Sequence, residues 1–495
     1  IMAKDFAYVG QGRPIKDAVQ KVTGSLRYTA DLTFPQMLYA GMLFSPVPHA
    51  RIKNIDTFQA IALPGVHSVL TYENTPQIPY NSSVRYSGQK IPENELVFSP
   101  IVRFVGDRVA AVAAESPELV RKALSLIEVE YEELPAVYDP EEALLKDAPQ
   151  LHPGGNKVGE ILAQAGNIEQ GMNEADLVFE DRITIPMAHQ GALEPHPCVA
   201  VCDVTDTVTV YTPSQNIYAV RLVLARLLAL PMHKVRVIKP PMGGSFGGKL
   251  EMVIEPIAAL LAYRTKRPVK LVLNRQETMV STRTRHGVTG YLRTGVTKEG
   301  KLVAQDIKLY ACPGAYASSA INLPAAMTSK VFSFYRIPNL RFTGIPVYTN
   351  TPIAGAMRGY GSTQLVFCIE THLNRIAKEL GIDPVKFHLM NLVEPGDVDT
   401  RNGKELGNCR VIDCVKKGAE AFGWEEKQKQ PGPSAKVKRG IGMACGVHGN
   451  GLYPVHYDFT TMTLKLNEDG TACLLTGTMD MGSGSFGALQ QVVDP

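Results

Sequence analysis

Along most of the chain, short apolar runs of strand length alternate with stretches of helical period. Val102-Arg103-Phe104-Val105 and Val109 to Ala114 read as two strands split by a turn at Gly106-Asp107. Ser116-Pro117-Glu118 opens a helix, with Ser116 as N-cap and Pro117 in the first helical position. Ile127, Val129 and Tyr131 alternate with acids, the pattern of a half-buried strand. These elements predict an α+β module over residues 1–140. Pro149, Pro153, Gly154, Gly155 and Asn156 mark a linker over 141–170. From 171 to 400, strands at Thr207 to Tyr211, Val235 to Ile238 and Val269 to Leu273 alternate with helices. The run from Glu251 to Arg264 is apolar on one helical face. Leu373, Ile376, Ala377 and Leu380 lie at helical spacing; Gly381 ends that helix and Asp383 caps the next. A second linker is predicted from Lys427 to Arg439, around Pro431-Gly432-Pro433. Strands then resume where Thr461, Thr463 and Lys465 alternate with Met462, Leu464 and Leu466, so that 401–495 opens a further domain.

The length of 495 residues fits about three domains. Apolar residues make up 45% and charged residues 20%, which excludes wholesale disorder. A net charge of +3 argues against a dedicated nucleic-acid binder. No run approaches the ~18–20 apolar residues that span a bilayer, and no apolar stretch follows the first lysine as in a secretory signal. The eight cysteines, Cys198, Cys202, Cys312, Cys368, Cys409, Cys414, Cys445 and Cys473, form no C-x-x-C. That predicts buried thiols in a cytoplasmic protein and excludes an iron–sulfur segment within the chain.

The sharpest local feature is Met242-Gly243-Gly244-Ser245-Phe246-Gly247-Gly248-Lys249-Leu250, between a strand and a helix. Four glycines in six positions let the backbone approach a ligand, and amides at a helix start favour anions. Gly243-x4-Gly248-Lys249 matches most of a phosphate loop, but Leu250 replaces the hydroxyl that binds Mg²⁺. The local pattern leaves a ligand loop and a plain packing turn equally open. Ala356-Met357-Arg358-Gly359-Tyr360-Gly361 fixes an arginine and an aromatic between glycines. Asp480-Met481-Gly482-Ser483-Gly484-Ser485 offers a further set of amides. Ser214-Gln215-Asn216 follows a strand and reads as a loop cap. His189, Glu194 and His196 cluster without the spacing of a metal motif and read as structural hydrogen-bonding residues.

In their order and spacing these segments resemble the molybdenum-cofactor subunit of the xanthine dehydrogenase/aldehyde oxidase family, the molybdenum hydroxylases. Lys21-Val22-Thr23-Gly24, Tyr28, Asp31, Met37-Leu38, Ser45-Pro46, His49-Ala50 and Val105-Gly106-Asp107 carry the N-terminal part of the likeness. The resemblance implies an α+β fold: an N-terminal α/β hammerhead domain, then elongated mixed α/β molybdenum-cofactor-binding domains, the second incomplete. It implies that Gln215 hydrogen-bonds an oxygen on or beside the molybdenum, with the loop of Gly244, Phe246 and Gly247 on the oxo side. Arg358 would donate beside the metal, Tyr360 would stack on a flat substrate, and Phe246 would face the substrate ring. Gly482, Ser483 and Gly484 would cradle the pterin or its phosphate, with Ser483 where many members carry glutamine. The metal would be held through molybdopterin, in dinucleotide form, with no direct protein ligand. Electrons would leave through Fe-S and FAD subunits.

The departures shape the expectation. Leu250 stands where xanthine oxidisers carry a glutamate, and Ala326 where they carry an arginine. Leaving xanthine's polar edges unpaired costs roughly 1–3 kcal/mol each, so a more apolar pocket for an aldehyde or a heteroaromatic carboxylate is expected. The family's general-base glutamate falls beyond these 495 residues, so a split subunit completed by a second polypeptide, or a fragment, is implied. Two other classes stand beside this one: a nucleotide-binding phosphotransferase and a non-catalytic assembly subunit.

Overall fold

The computed structural model describes residues 8–86, 88–430, 436–449 and 460–493. Pro431-Gly432-Pro433, in the second expected linker, lies outside them. Two sheets dominate. The first has seven strands in the order Val235–Ile238, Val208–Tyr211, Pro197–Cys202, Val269–Val272, Leu38–Phe44, Arg108–Ala114 and Val66–Leu70. Its two halves come from distant parts of the chain and join where Leu38 pairs in parallel with Val269. Ala110 to Ala114 are fully buried on both faces, so a near-continuous apolar run replaces alternation. A three-stranded sheet (Ile101–Val102, Ala50–Asp56, Glu128–Glu133) flanks this N-terminal half.

The second sheet has five strands in the order Ile161–Ala165, Asn339–Tyr348, Leu302–Gly314, Gly287–Val296 and Leu177–Ile185. Helix Ser362–Glu379 packs on it through Leu365, Cys368, Ile369, Leu373 and Ile376, each at most 5% exposed. That stripe has the 3.6-residue period of one helix face. The helix stops at Leu380, and Gly381 turns left-handed (φ 68°). Asp383 then accepts from the Lys386 amide at 3.0 Å and starts Pro384–Asn391. Met462–Leu466 pairs with Ala472–Thr476 as a hairpin, followed by helix Ser485–Val493.

Several sequence expectations are adjusted. The strand expected at 102–105 pairs only over Ile101–Val102, because the Arg103 amide donates to Asp107 Oδ2 (3.0 Å) and begins the turn early. The helix expected from Glu251 starts at Glu255, and every residue from Glu255 to Ala262 is buried. It is an all-round apolar helix packed on the sheet, and the free 251–254 segment serves the site below. The stretch 141–170 holds one 3-10 turn at Glu142–Leu144, is otherwise without helix or strand to Glu160, and then forms strand Ile161–Ala165 and the start of helix Ile168–Glu174. Ser116 caps its helix as expected, accepting from the Leu119 amide at 3.2 Å. No described helix is long and apolar enough to cross a membrane, and all eight cysteines are unpaired thiols.

The topology places the site. Strands Val208–Tyr211 and Val235–Ile238 are parallel neighbours, so their C-terminal ends open on the same edge. The first runs into Ser214-Gln215-Asn216 and the second into the glycine loop. A ligand crevice outside the carboxyl ends of parallel strands is the general arrangement in such sheets. From the other sheet, strand Asn339–Tyr348 leads into the segment 349–361 that meets them.

Candidate active site

The glycine loop is held in an unusual backbone shape. Gly244 (φ 99°), Phe246 (φ 54°) and Gly247 (φ 102°) all lie at positive φ. Glycine is required at 247 by space as well as by φ: a Cβ there would sit 2.6 Å from the Ala356 carbonyl oxygen. That close approach joins two motifs distant in sequence, and the Arg358 amide donates to the Phe246 carbonyl at 2.8 Å. Phe246 is an L-residue in left-handed conformation with its ring 49% exposed. Such strain costs about 1–3 kcal/mol and collects at functional sites. Among the described residues the amides of Phe246 and Gly247 find no acceptor, which leaves two adjacent donors at the tip of the loop.

Buried side chains lock this loop from behind. Glu194 Oε2 accepts from Lys249 Nζ at 2.6 Å and from the Gly243 amide at 2.9 Å. Lys249 is 4% exposed. Burial pulls its amine below the ordinary lysine value, against the pull of Glu194. This lysine is thus committed inside the protein and unavailable to a phosphate, which removes the phosphate-loop reading. His196 Nε2 donates to the Gly248 carbonyl at 3.0 Å, and burial lowers its ring to about 3. His189 accepts from the Gly191 amide through Nδ1 and meets Thr282 Oγ1 through Nε2. The His189, Glu194 and His196 cluster is therefore structural, and among the described residues no group of three potential ligands could hold a metal.

Three supporting residues carry no motif and were not singled out by sequence. Gln190 Nε2 donates to the Ala356 carbonyl at 2.8 Å. Glu251 Oε1 accepts from the Ala356 amide at 3.1 Å while only 2% exposed. Burial raises its carboxyl above the usual range, with Arg283 opposing. Arg283, itself 2% exposed, bonds Ser82, Glu95 and the Met252 carbonyl. A buried charge needing a partner is the only sequence-level hint such residues leave.

Gln215 lies beside the loop. Its Oε1 accepts from Ser245 Oγ, its amide donates to the Lys249 carbonyl at 2.9 Å, and Nε2 faces Met481 Sδ at 3.0 Å. The neighbouring Asn216 is the cap, accepting from the Ala219 amide at 3.1 Å. Lys239 Nζ donates to the Asp480 carbonyl at 2.7 Å and anchors the C-terminal segment here. The amides of Gly482 and Gly484 are turned onto Asp480 Oδ1 at 2.8 and 3.4 Å. Burial pushes the Asp480 carboxyl up, but those amides, Phe486 and Lys239 outweigh it and hold it below the usual range. The amide cradle expected at Gly482, Ser483 and Gly484 is thus closed on the chain's own carboxylate, as at a capped helix start.

Arg358 is exposed at the surface of the 356–361 turn, its carbonyl fixed by Arg285 Nη2 at 2.8 Å. Tyr360 is partly exposed and its hydroxyl donates to the Ser319 carbonyl at 2.9 Å, which fixes the ring. Ala326, on helix Asn322–Val331, flanks the next residue: a Cβ on Gly361 would be 3.7 Å from that of Ala326. The Leu250 amide bonds the Gly247 carbonyl at 3.0 Å, so its partly exposed side chain borders the loop. Two unpaired amides at the loop tip, the adjoining Gln215 carboxamide, and an exposed arginine whose backbone is bonded to the loop suit an anionic group rich in oxygen acceptors. The residues present therefore fit an oxo-bearing, pterin-held metal.

Such a combination of hammerhead-like module, glycine loop and donor set defines a molybdopterin-binding subunit. Residues 23–135 match the aldehyde oxidase and xanthine dehydrogenase a/b hammerhead domain, and 151–392 and 417–494 match molybdopterin cofactor-binding domains. The chain is 36% identical over 480 residues to a probable xanthine dehydrogenase subunit of Bacillus subtilis (strain 168), covering 96% of this chain and 63% of that protein. It is 37% identical to the nicotinate dehydrogenase large molybdopterin subunit of Eubacterium barkeri, covering 85% of this chain and 97% of that one. The solved aldehyde oxidoreductase from Desulfovibrio gigas superposes with TM-score 0.86 at 29% identity, over 93% of this chain and 51% of that chain. The chain belongs to the xanthine dehydrogenase/aldehyde oxidase family of molybdenum hydroxylases. It spans just under two thirds of the Bacillus relative. The expected α+β architecture, hammerhead first and cofactor-binding domains after it, is the one observed.

Proposed function

We propose that this chain is the molybdopterin-binding part of a hydroxylase that oxidises an aldehyde or an N-heteroaromatic carbon with oxygen from water. The observation that carries this reading is the glycine loop, where the free amides of Phe246 and Gly247 adjoin Ser245, which bonds the Gln215 side chain, and where the Arg358 amide bonds the Phe246 carbonyl. A molybdenum–molybdopterin group bound there would supply the two-electron oxidation, with the protein providing binding, orientation and electrostatics. Gln215, held by Ser245, presents its remaining N–H to the group's oxygen side. The Phe246–Gly247 amides donate to the same side from a backbone that cannot swing away, because Ala356 packs against it. Arg358 adds positive charge where negative charge develops. Leu250 and Ala326 leave the substrate wall apolar, and Tyr360 offers an aromatic face for a planar ring. The nicotinate dehydrogenase relative favours the N-heteroaromatic class.

The dinucleotide form of the pterin, Fe-S and FAD partner subunits, and a second polypeptide or further segment supplying the proton-abstracting carboxylate belong to the same proposal. A cytoplasmic setting is supported by eight unpaired cysteines. The test is elemental analysis of the natively purified complex, joined to Gln215→Ala and Arg358→Ala. About one molybdenum per chain is expected, with turnover falling at least tenfold in each variant and thermal stability kept. A molybdenum-free native complex, or undiminished turnover in both variants, overturns the proposal.

A further inference from the structure

Glu251 is a buried acid without a counter-ion of its own. It is 2% exposed, and among the described residues the one group outside its own residue that donates to it is the Ala356 amide, at 3.1 Å from Oε1 and 3.4 Å from Oε2. Gly355 allows that approach: a Cβ there would sit 2.8 Å from Glu251 Oε2. Arg283 is the cation that acts on it most, yet Arg283 is committed to Glu95 Oε2 at 3.0 Å, to Ser82 and to the Met252 carbonyl. Arg85, exposed on the loop after Tyr80, acts more weakly. Tyr360 faces it from the 356–361 turn; burial pushes that phenol up, and the Glu251 charge adds to the rise. Burial lifts the Glu251 carboxyl above the usual range, and neither Arg283 nor the Ala356 amide offsets it. A buried carboxyl with one amide donor and no ion pair holds its proton in preference to its charge.

The far side of Ala356 gives that proton a consequence. A Cβ on Gly247 would lie 2.6 Å from the Ala356 carbonyl oxygen, and Gln190 donates to the same carbonyl. One residue thus stands between the Glu251 carboxyl and the free amide of Gly247. A negative charge on Glu251 opposes any anion held by the Phe246–Gly247 amides, and inside the protein that repulsion is weakly screened. A neutral Glu251 keeps the Ala356 bond through an uncharged oxygen and removes the repulsion. The coupling is reciprocal: an anion on the loop favours the proton as the proton favours the anion.

We infer that Glu251 is a positioning residue whose protonated form is the one in which the glycine loop holds its anionic group. The inference rests on the proposed reading of that loop as donor to the oxygen side of a molybdenum–molybdopterin group. It adds a pH dependence that backbone donors cannot have by themselves.

The test compares the native complex with Glu251→Gln, which keeps an oxygen for the Ala356 amide and cannot ionise, and with Glu251→Ala, which removes the acceptor. Melting temperature and the rate of molybdenum loss on dialysis are both followed from pH 5 to 8.5. An acid lifted in the folded state binds more protons there than in the unfolded chain, where glutamate titrates near pH 4.3. The wild type therefore loses stability relative to Glu251→Gln as pH rises. Over that range the melting temperature of Glu251→Gln should gain on the wild type by roughly 2 °C or more. Wild-type molybdenum loss should quicken roughly tenfold, the effect of one pKa unit of coupling, while Glu251→Gln loses it at one rate throughout. Glu251→Ala should lose it faster than Glu251→Gln at every pH. A melting gap that does not change with pH, or a Glu251→Gln chain that does not fold, overturns the inference. So does wild-type molybdenum loss that ignores pH, or an equal quickening in Glu251→Gln. A molybdenum-replete complex with either result removes the Glu251 assignment alone, whereas a molybdenum-free native complex removes the functional reading beneath it.

Discussion

The ion pair behind the glycine loop makes the most direct test of how the site is built. Lys249 and Glu194 side chains are 3% and 10% exposed, with Nζ 2.6 Å from Oε2. Replacing Lys249 by Met removes one charge and strands the other. Glu194 would keep only the Gly243 amide as donor, since its Oε1 already lacks a partner among the described residues. Breaking a buried pair in this way costs about 3–5 kcal/mol. At about 2–4 °C per kcal/mol for a domain of this size, the melting temperature should fall by roughly 6–20 °C. The double variant Glu194→Gln/Lys249→Met removes both charges and keeps an oxygen for the Gly243 amide. It should recover at least half of that loss. The assay is thermal unfolding of the purified complex for wild type, single and double variants. A Lys249→Met variant within about 0.5 kcal/mol of wild type, the range of an ordinary surface substitution, would refute the structural role. It would return Lys249 to the pool of residues free to meet a ligand.

Two further outcomes follow from the same geometry. Phe246→Gly removes a half-exposed ring from a left-handed position, so stability should stay within about 1 kcal/mol of wild type while turnover falls. A larger loss in a melting experiment would show that the ring is a packing residue. Acid should destabilise the fold through His196 and His286, whose buried rings are pulled down to about 3. An unfolded histidine takes its proton near pH 6.5, so the unfolded chain binds more protons between pH 6.5 and 3. Stability therefore falls as pH falls across that window, by up to about 1.4 kcal/mol per pH unit per ring. Melting curves at pH 7 and 5 should separate, and His196→Gln/His286→Gln should narrow the gap; superimposable wild-type curves would contradict the burial argument.

Legibility in the sequence followed the range of the interactions. Ser116 and Asp383 announce their helices because a cap acts within three residues. Strand Val235–Ile238 and the glycine loop after it were readable for the same reason. The helix expected from Glu251 began late because Glu251 is drawn across to Ala356, more than a hundred residues away. The strand expected through Val105 was cut short by a turn that Asp107 makes with Arg103. Gln215, Phe246, Arg358 and Tyr360 are singled out by family resemblance and not by any local pattern. Gln190, Glu251 and Arg283 act between segments distant in sequence, and no local pattern records that.

That division has a physical basis. The free donors of the glycine loop are backbone amides, and backbone donors carry no side-chain signature beyond the glycines that permit them. Their aim is set from outside the loop. Ala356 blocks it on one side, Glu194 ties its start, and His196 holds the Gly248 carbonyl. Ala356 is in turn pinned through both of its polar groups, its carbonyl by Gln190 and its amide by Glu251. The two glycine motifs are therefore one device, and neither can be re-aimed alone. A substitution at Gln190 or Glu251, touching neither the loop nor any cofactor, should shift the Phe246–Gly247 amides and Arg358 together, because the same peptide unit positions both.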